Sequence, residues 1–202
     1  MKKIFIIFSV LLTLPSYAHN CIVHKTTPKI ELGKPEYQKN IFASKTLDSL
    51  HGNVHANLVS NYDIVVEMLP TNGGYCVVLK QVDALFGFDN FDIEIDRVHE
   101  LNSCTYNAVL NHEEKHIKVY LGIIEDLKSE IHNSLFSAAD SVMPIFIEKE
   151  SDIDFAFNKL NDNFSSHPDL LLISQKVHAA QEIRNKQIDR NENNTELNSC
   201  YN

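Results

Sequence analysis

Beyond residue 18, no stretch of the chain approaches the run of about 20 apolar residues that a membrane helix needs, so the body of the protein is expected to be soluble. Basic residues are also scarce: 18 Lys and Arg stand against 27 Asp and Glu in 202 residues, a formal charge of −9. That balance leaves no basic patch to hold nucleic acid or an anionic membrane surface. Several chemistries are missing by motif. There is no Gly-x-Ser-x-Gly elbow for a serine nucleophile, no glycine loop for phosphates, and no cysteine in a nucleophile's setting.

What is present begins with Met1 to Ala18. Lys2 and Lys3 lead an apolar run from Ile4 to Leu14, and Ser16-Tyr17-Ala18 supplies a small-x-small cleavage site. This reads as a secretory signal peptide cut after Ala18, leaving one exported domain from His19 to Asn202. Cys21 follows closely, but Ala18-His19-Asn20 is a poor lead-in for a lipid anchor. Four cysteines in an exported chain, Cys21, Cys76, Cys104 and Cys200, favour two disulfides over zinc thiolates. Three pairings are open. The segment Glu100 to Cys104 recurs as Glu196 to Cys200 without any extension of the match, so it reads as chance. A Cys104 to Cys200 bridge would pin the tail beside the start of the helix described next.

The mature chain reads as two halves. From about 20 to 98, short apolar segments alternate between turn formers. Tyr62, Ile64, Val66 and Met68 fall on one side of an extended segment, and Phe91 to Ile95 alternates with Asp92 and Glu94. Pro70 to Gly74 is a turn, and Tyr75 to Leu79 another strand. From about 103 to 190 the pattern is helical: Thr105 to Ala139 has no proline, a second helix is expected over Asp152 to Asn161, and a third from Pro168 toward Asp189. The expectation is an α+β domain with an N-terminal antiparallel sheet, a long helix and further C-terminal helices.

The long helix carries His112-Glu113-Glu114-Lys115-His116, an H-E-x-x-H motif. Residues four apart lie one turn above each other, so two imidazoles can meet one metal ion about 2 Å from each nitrogen. Glu113 is rotated about 100° from His112, where its carboxylate can reach a water without itself binding the metal. Both histidines share a face with Val109, Ile123 and Leu127 and should point inward, whereas Glu114 and Lys115 face water. The plainer alternative makes them half-buried histidines bonded to carboxylates. Neutral imidazoles on an apolar face need polar partners, and a metal with supporting carboxylates meets that need.

A third ligand is not apparent nearby. Val119 and Gly122 stand where a metzincin would have Gly and His, and Glu125 or Glu130 on the same straight helix cannot reach back. The chain must reverse and supply the ligand from another element. His178, Glu182 and Asp189 share one face of the third helix. Glu148, Glu150 and Asp152 form a second group after Pro144. His51 and His55 are also four apart, but Gly52 and Asn53 argue against a helix, and they read as surface histidines. His19, His24, His99 and His167 show no ligand spacing.

The run Cys104 to His116, with a cysteine and an aromatic ahead of the motif, resembles the core of a bacterial family of predicted secreted zinc proteases, domain of unknown function 922. Gly74-Tyr75-Cys76-Val77 is similar to that family's strand segment, and Gln187-Ile188-Asp189 to its C-terminal Tyr-Asp motif. The Thr and Gly that follow this aspartate in the family are absent. The resemblance implies a zinc-dependent peptidase with His112 and His116 as ligands, Glu113 as catalytic acid and base, and Asp189 as the favoured third ligand.

Such a site predicts hydrolysis of peptide or protein substrates in the periplasm or outside the cell, with Glu113 as general base toward a zinc-activated water. Tyr106 and Tyr120 are candidates to stabilise the oxyanion by nearness in sequence. Two alternatives remain open: an exported metal-binding module without turnover, and a disulfide-stapled interaction domain.

Overall fold

The computed structural model describes residues 21–44, 51–192 and 195–201. The expected leader, Met1 to Ala18, lies outside them. Among the described residues the fold is α+β, with a five-stranded sheet and four α-helices. No helix among the described residues is long and apolar enough to cross a membrane.

Two long strands form the sheet's spine. Strand β3 (Gly52–Thr71) and strand β4 (Gly74–Asp96) pair antiparallel along their whole length. The expected turn joins them, and Gly73 reverses the chain at φ 85°, a conformation that costs glycine little. Along the opposite edge of β4, three short strands lie end to end. Strand β1 (Lys29–Gly33) pairs with Gln81 to Leu85, strand β2 (Gln38–Ser44) with Asn90 to Asp96, and strand β5 (Ile145–Ile147) with Tyr75 to Val77.

The sheet is therefore mixed, which corrects the expected antiparallel arrangement: β1 and β2 run parallel to β4, while β3 and β5 run antiparallel to it. Alternation of apolar residues reveals that a segment is extended and one-sided, but carries no record of its partner's direction. Strand β5 also comes from the half expected to be helical. Three residues are too few for a period to show.

Strand β4 has two bulges. Val65 pairs with Gln81 and Val66 with Leu79, and Asn57 pairs with Asn90 and Leu58 with Phe88, so Lys80 and Asp89 are unmatched. An extra residue turns every following side chain to the other face. Accordingly the core-facing set runs Val77 and Leu79, then Val82, Ala84, Phe86 and Phe88, then Phe91, Ile93 and Ile95.

Helix α1 (Cys104–Ser141) covers this face, extending the expected Thr105 to Ala139 by a few residues. Ser103 caps it, accepting a hydrogen bond from the Tyr106 N–H at 3.1 Å. Its 38 residues make a rod about 57 Å long. Val109, Ile117, Tyr120, Ile123, Ile124, Ile131 and Leu135 are buried along it. Tyr120 packs against Phe88 and Phe91, with ring centroids 5.2 and 5.9 Å away. Helix α2 (Ile153–Ser165) and helix α3 (Pro168–Glu192) follow, then the short α4 (Thr195–Ser199). Pro168 opens α3, where its missing N–H costs nothing.

Two disulfides close the frame, Cys21 to Cys76 and Cys104 to Cys200. The first ties the N-terminal turn to β4. The second ties the first residue of α1 to the segment after α3, so the repeated Leu-Asn-Ser-Cys ends of both copies meet. Bridges of this kind form and persist in oxidising compartments.

Candidate metal centre

Helices α1 and α3 run antiparallel. His112 and His116 meet Asp189, Tyr120 meets Asn185, Asp126 meets Arg184 and Glu130 meets Lys176, so positions advancing on one helix retreat on the other. The chain reversal that the motif demanded is thus supplied by α3. Of the three acidic or imidazole groups on its expected face, only Asp189 arrives.

The three ligand atoms form a nearly equilateral triangle. His112 Nε2 and His116 Nε2 are 3.2 Å apart, and Asp189 Oδ1 lies 3.3 Å from the first and 3.1 Å from the second. Atoms about 2.0–2.1 Å from one centre at the tetrahedral angle stand roughly 3.3 Å from each other. The spacing is that of three corners of a tetrahedral site, and the group can hold a metal ion. Among the described residues it is the one cluster of three or more His, Cys, Asp or Glu side chains with this closeness. His116 is 7% exposed, whereas the side chains of His112 and Asp189 are 28% and 57% exposed. One side of the triangle therefore faces solvent.

Glu113 is not one of the three ligand groups, as its place on the helix requires. It is only 4% exposed. Burial pushes its carboxyl up to about 7, opposed by the nearby charge of His112 and reinforced by that of Asp189. Space for this carboxylate is left by Gly52, the first residue of β3. A Cβ there would stand 2.6 Å from Glu113 Oε1 and 2.6 Å from Val109 Cγ1.

Behind the triangle lies a polar chain. His116 Nδ1 is 3.0 Å from Asn185 Oδ1, and Asn185 Nδ2 donates to the Tyr120 hydroxyl at 3.0 Å. Burial raises the Tyr120 phenol, which the Asn185 bond partly offsets. Tyr120, expected as an oxyanion stabiliser, is thus a buried partner of Asn185.

The remaining expected residues stay apart from the triangle. Glu182 pairs with Lys186, and His178 lies 3.0 Å from Gln181, both at the surface of α3. Glu148, Glu150 and Asp152 are exposed around the start of α2. Tyr106 lines a cavity of about 440 Å³ with Phe42, Arg97, His99 and Leu101, on the sheet side of α1. His51 is exposed as expected, but it contacts a buried neighbour: its Nδ1 is 3.0 Å from His99 Nε2.

Gly52 and Asn185 escaped the reading of the sequence. Gly52 carries no functional group to find. For Asn185 a signal existed: it precedes Asp189 by one helical turn, as His112, His116 and Tyr120 succeed each other by one turn. No protein-family model, curated protein or solved structure matches the chain, so the centre is read from its own geometry.

Proposed function

We propose that the chain is an exported zinc-dependent peptidase. The observation that carries this reading is the triangle of His112, His116 and Asp189 at tetrahedral spacing, with a buried carboxylate, Glu113, on the same helix turn. Two imidazoles and one carboxylate are a donor set of catalytic zinc, with three protein ligands and an open fourth position. The solvent-facing side of the triangle gives that position access. The leader-like Met1 to Ala18 and the two disulfides support export to the periplasm or beyond.

His112, His116 and Asp189 would hold the zinc, which would supply Lewis-acid polarisation of the scissile carbonyl and a lowered pKa for the attacking water. Glu113 takes the proton of that water as it attacks, then passes it to the leaving amine. A buried carboxylate is suited to carrying a proton both ways in such a transfer. Its burial beside Gly52 holds it in one place while the proton moves. His112 and His116 sit on α1 and Asp189 on α3 packed against it, and the Cys104 to Cys200 bridge ties the segment beyond α3 back to the start of α1.

The test is zinc stoichiometry and peptide hydrolysis on disulfide-intact protein. One tightly held zinc is expected, lost in His112→Ala and kept in Glu113→Gln, with cleavage of an unstructured protein substrate abolished in both. Zinc bound without cleavage of any substrate leaves a metal-binding module. No zinc uptake by the native chain rejects both readings.

A further inference from the structure

We infer that Asn185 is a positioning residue that sets which nitrogen of His116 faces the metal centre with a lone pair. The inference rests on the metal reading above. An imidazole binds a metal through one nitrogen only if its hydrogen sits on the other, and the partner of that other nitrogen decides the matter. For His116 the ligand atom is Nε2, so the hydrogen belongs on Nδ1, which faces Asn185 Oδ1 at 3.0 Å. An amide oxygen can only accept.

Asn185 has a second end. In the orientation that turns Oδ1 to His116, Nδ2 donates to the Tyr120 hydroxyl at 3.0 Å. The reverse orientation would place an N–H donor against His116 Nδ1, drive the hydrogen to Nε2 and block metal binding. It would also reverse the bond to Tyr120, making that hydroxyl the donor. The amide is therefore a two-way selector, and Tyr120 is the acceptor that accompanies the metal-competent setting. His116 and Tyr120 are buried and one turn apart on α1, and Asn185 and Asp189 are one turn apart on α3. One packed turn of each helix thus delivers both a ligand and the group that orients another.

The substitutions at Asn185 should act in opposite directions. Asn185→Asp keeps an acceptor opposite Nδ1–H and adds negative charge, so zinc affinity should equal or exceed that of the native protein. Asn185→Leu keeps bulk without an acceptor, and affinity should fall about 10- to 100-fold. Tyr120→Phe should lower affinity by a smaller factor, although Tyr120 is not a ligand. Affinities are measured by chelator competition, with thermal unfolding of each metal-free variant as a control for folding. Side-chain ¹⁵N–¹H spectra of the zinc-loaded protein, in which Nε2 is taken by the metal rather than by Asp189, should show a hydrogen-bonded His116 Nδ1–H in the native and Asn185→Asp proteins, and lose that bond in Asn185→Leu. Native zinc affinity in Asn185→Leu overturns the inference, as does an equal loss in Asn185→Asp and Asn185→Leu, or a zinc-loaded native protein whose His116 Nδ1–H is not hydrogen-bonded. A native protein that takes up no zinc instead overturns the metal reading.

Discussion

Gly52 and Glu113 touch so closely that the glycine can carry no side chain without moving the carboxylate: a Cβ on Gly52 would lie 2.6 Å from Glu113 Oε1 and 3.0 Å from Glu113 Cγ. The end of a glutamate can yield where backbone cannot, and the buried Val109, whose Cγ1 would stand 2.6 Å from that Cβ, must shift as well, so Gly52→Ala should fold with some loss of stability and displace the carboxylate. A misplaced general base costs turnover steeply. We expect peptidase kcat to fall about 10- to 100-fold with zinc affinity unchanged. Unaltered kcat in Gly52→Ala would mean that Glu113 is not held by this contact.

Asp189 should account for metal retention in a way that its helix neighbours do not. Structural zinc sites are worth about 10–16 kcal/mol over four ligands, so removing one ligand should weaken zinc binding at least about 100-fold. Asp189→Ala is expected to show that loss. Glu182→Ala and His178→Ala should bind as the native protein does, because both side chains are engaged at the surface. Equal losses in all three variants, measured by chelator competition, would count against the triangle.

The pH dependence of stability in metal-free protein should carry the signature of Glu113. Its pKa is raised from the usual 4.5 to about 7 in the fold, with burial the largest cause. The folded state then holds the proton more tightly than the unfolded chain, so this group makes stability fall as pH rises between those values. The full effect is at most roughly 3 kcal/mol above pH 7. Glu113→Gln should remove that fall, making the variant more stable than the native metal-free protein at pH 8. Urea unfolding from pH 4 to 8 measures it, and parallel curves for the two proteins would show the carboxyl to be unperturbed.

Cys104 and Cys200 bracket the whole centre, since His112, His116, Asn185 and Asp189 all lie between them. Opening the bridge frees the segment that follows α3 and lets Asp189 drift from α1. Cys104→Ser with Cys200→Ser should weaken zinc binding, whereas Cys21→Ser with Cys76→Ser should lower the melting temperature and leave zinc affinity near native. Each bridge closes a long loop, of separation 96 and 55, and so stabilises by about 4 kcal/mol in the chain-entropy account. An unchanged zinc affinity after loss of the Cys104 to Cys200 bridge would sink the link between tail and site.

Helix α1 was legible almost to its ends, since its apolar stripe persists over many turns and Pro144 stops the pattern. The sheet was legible only in part. Tyr62, Ile64, Val66 and Met68 do share the core side of β3, yet the parallel placement of β1 and β2 was not. Nor were the bulges at Lys80 and Asp89, where the inward set changes phase and alternation fails locally. Asp189 was one of six open choices for the third ligand. Asn185 was not among the choices at all, because a neutral amide gains a role only from what it faces.

By itself the chain's order of residues determined whatever repeats along one element: the helix that presents His112 and His116 on one face, the separate direction of Glu113, and the extended segments of the sheet. Those properties follow from local periods of 3.6 and 2 residues. Tertiary structure alone decided which carboxylate closes the triangle, which glycine makes room for Glu113, and which amide faces His116. Each of these depends on the antiparallel register of α1 against α3, or of α1 across the sheet. That register comes from packing and chain closure among distant residues, which no local pattern records.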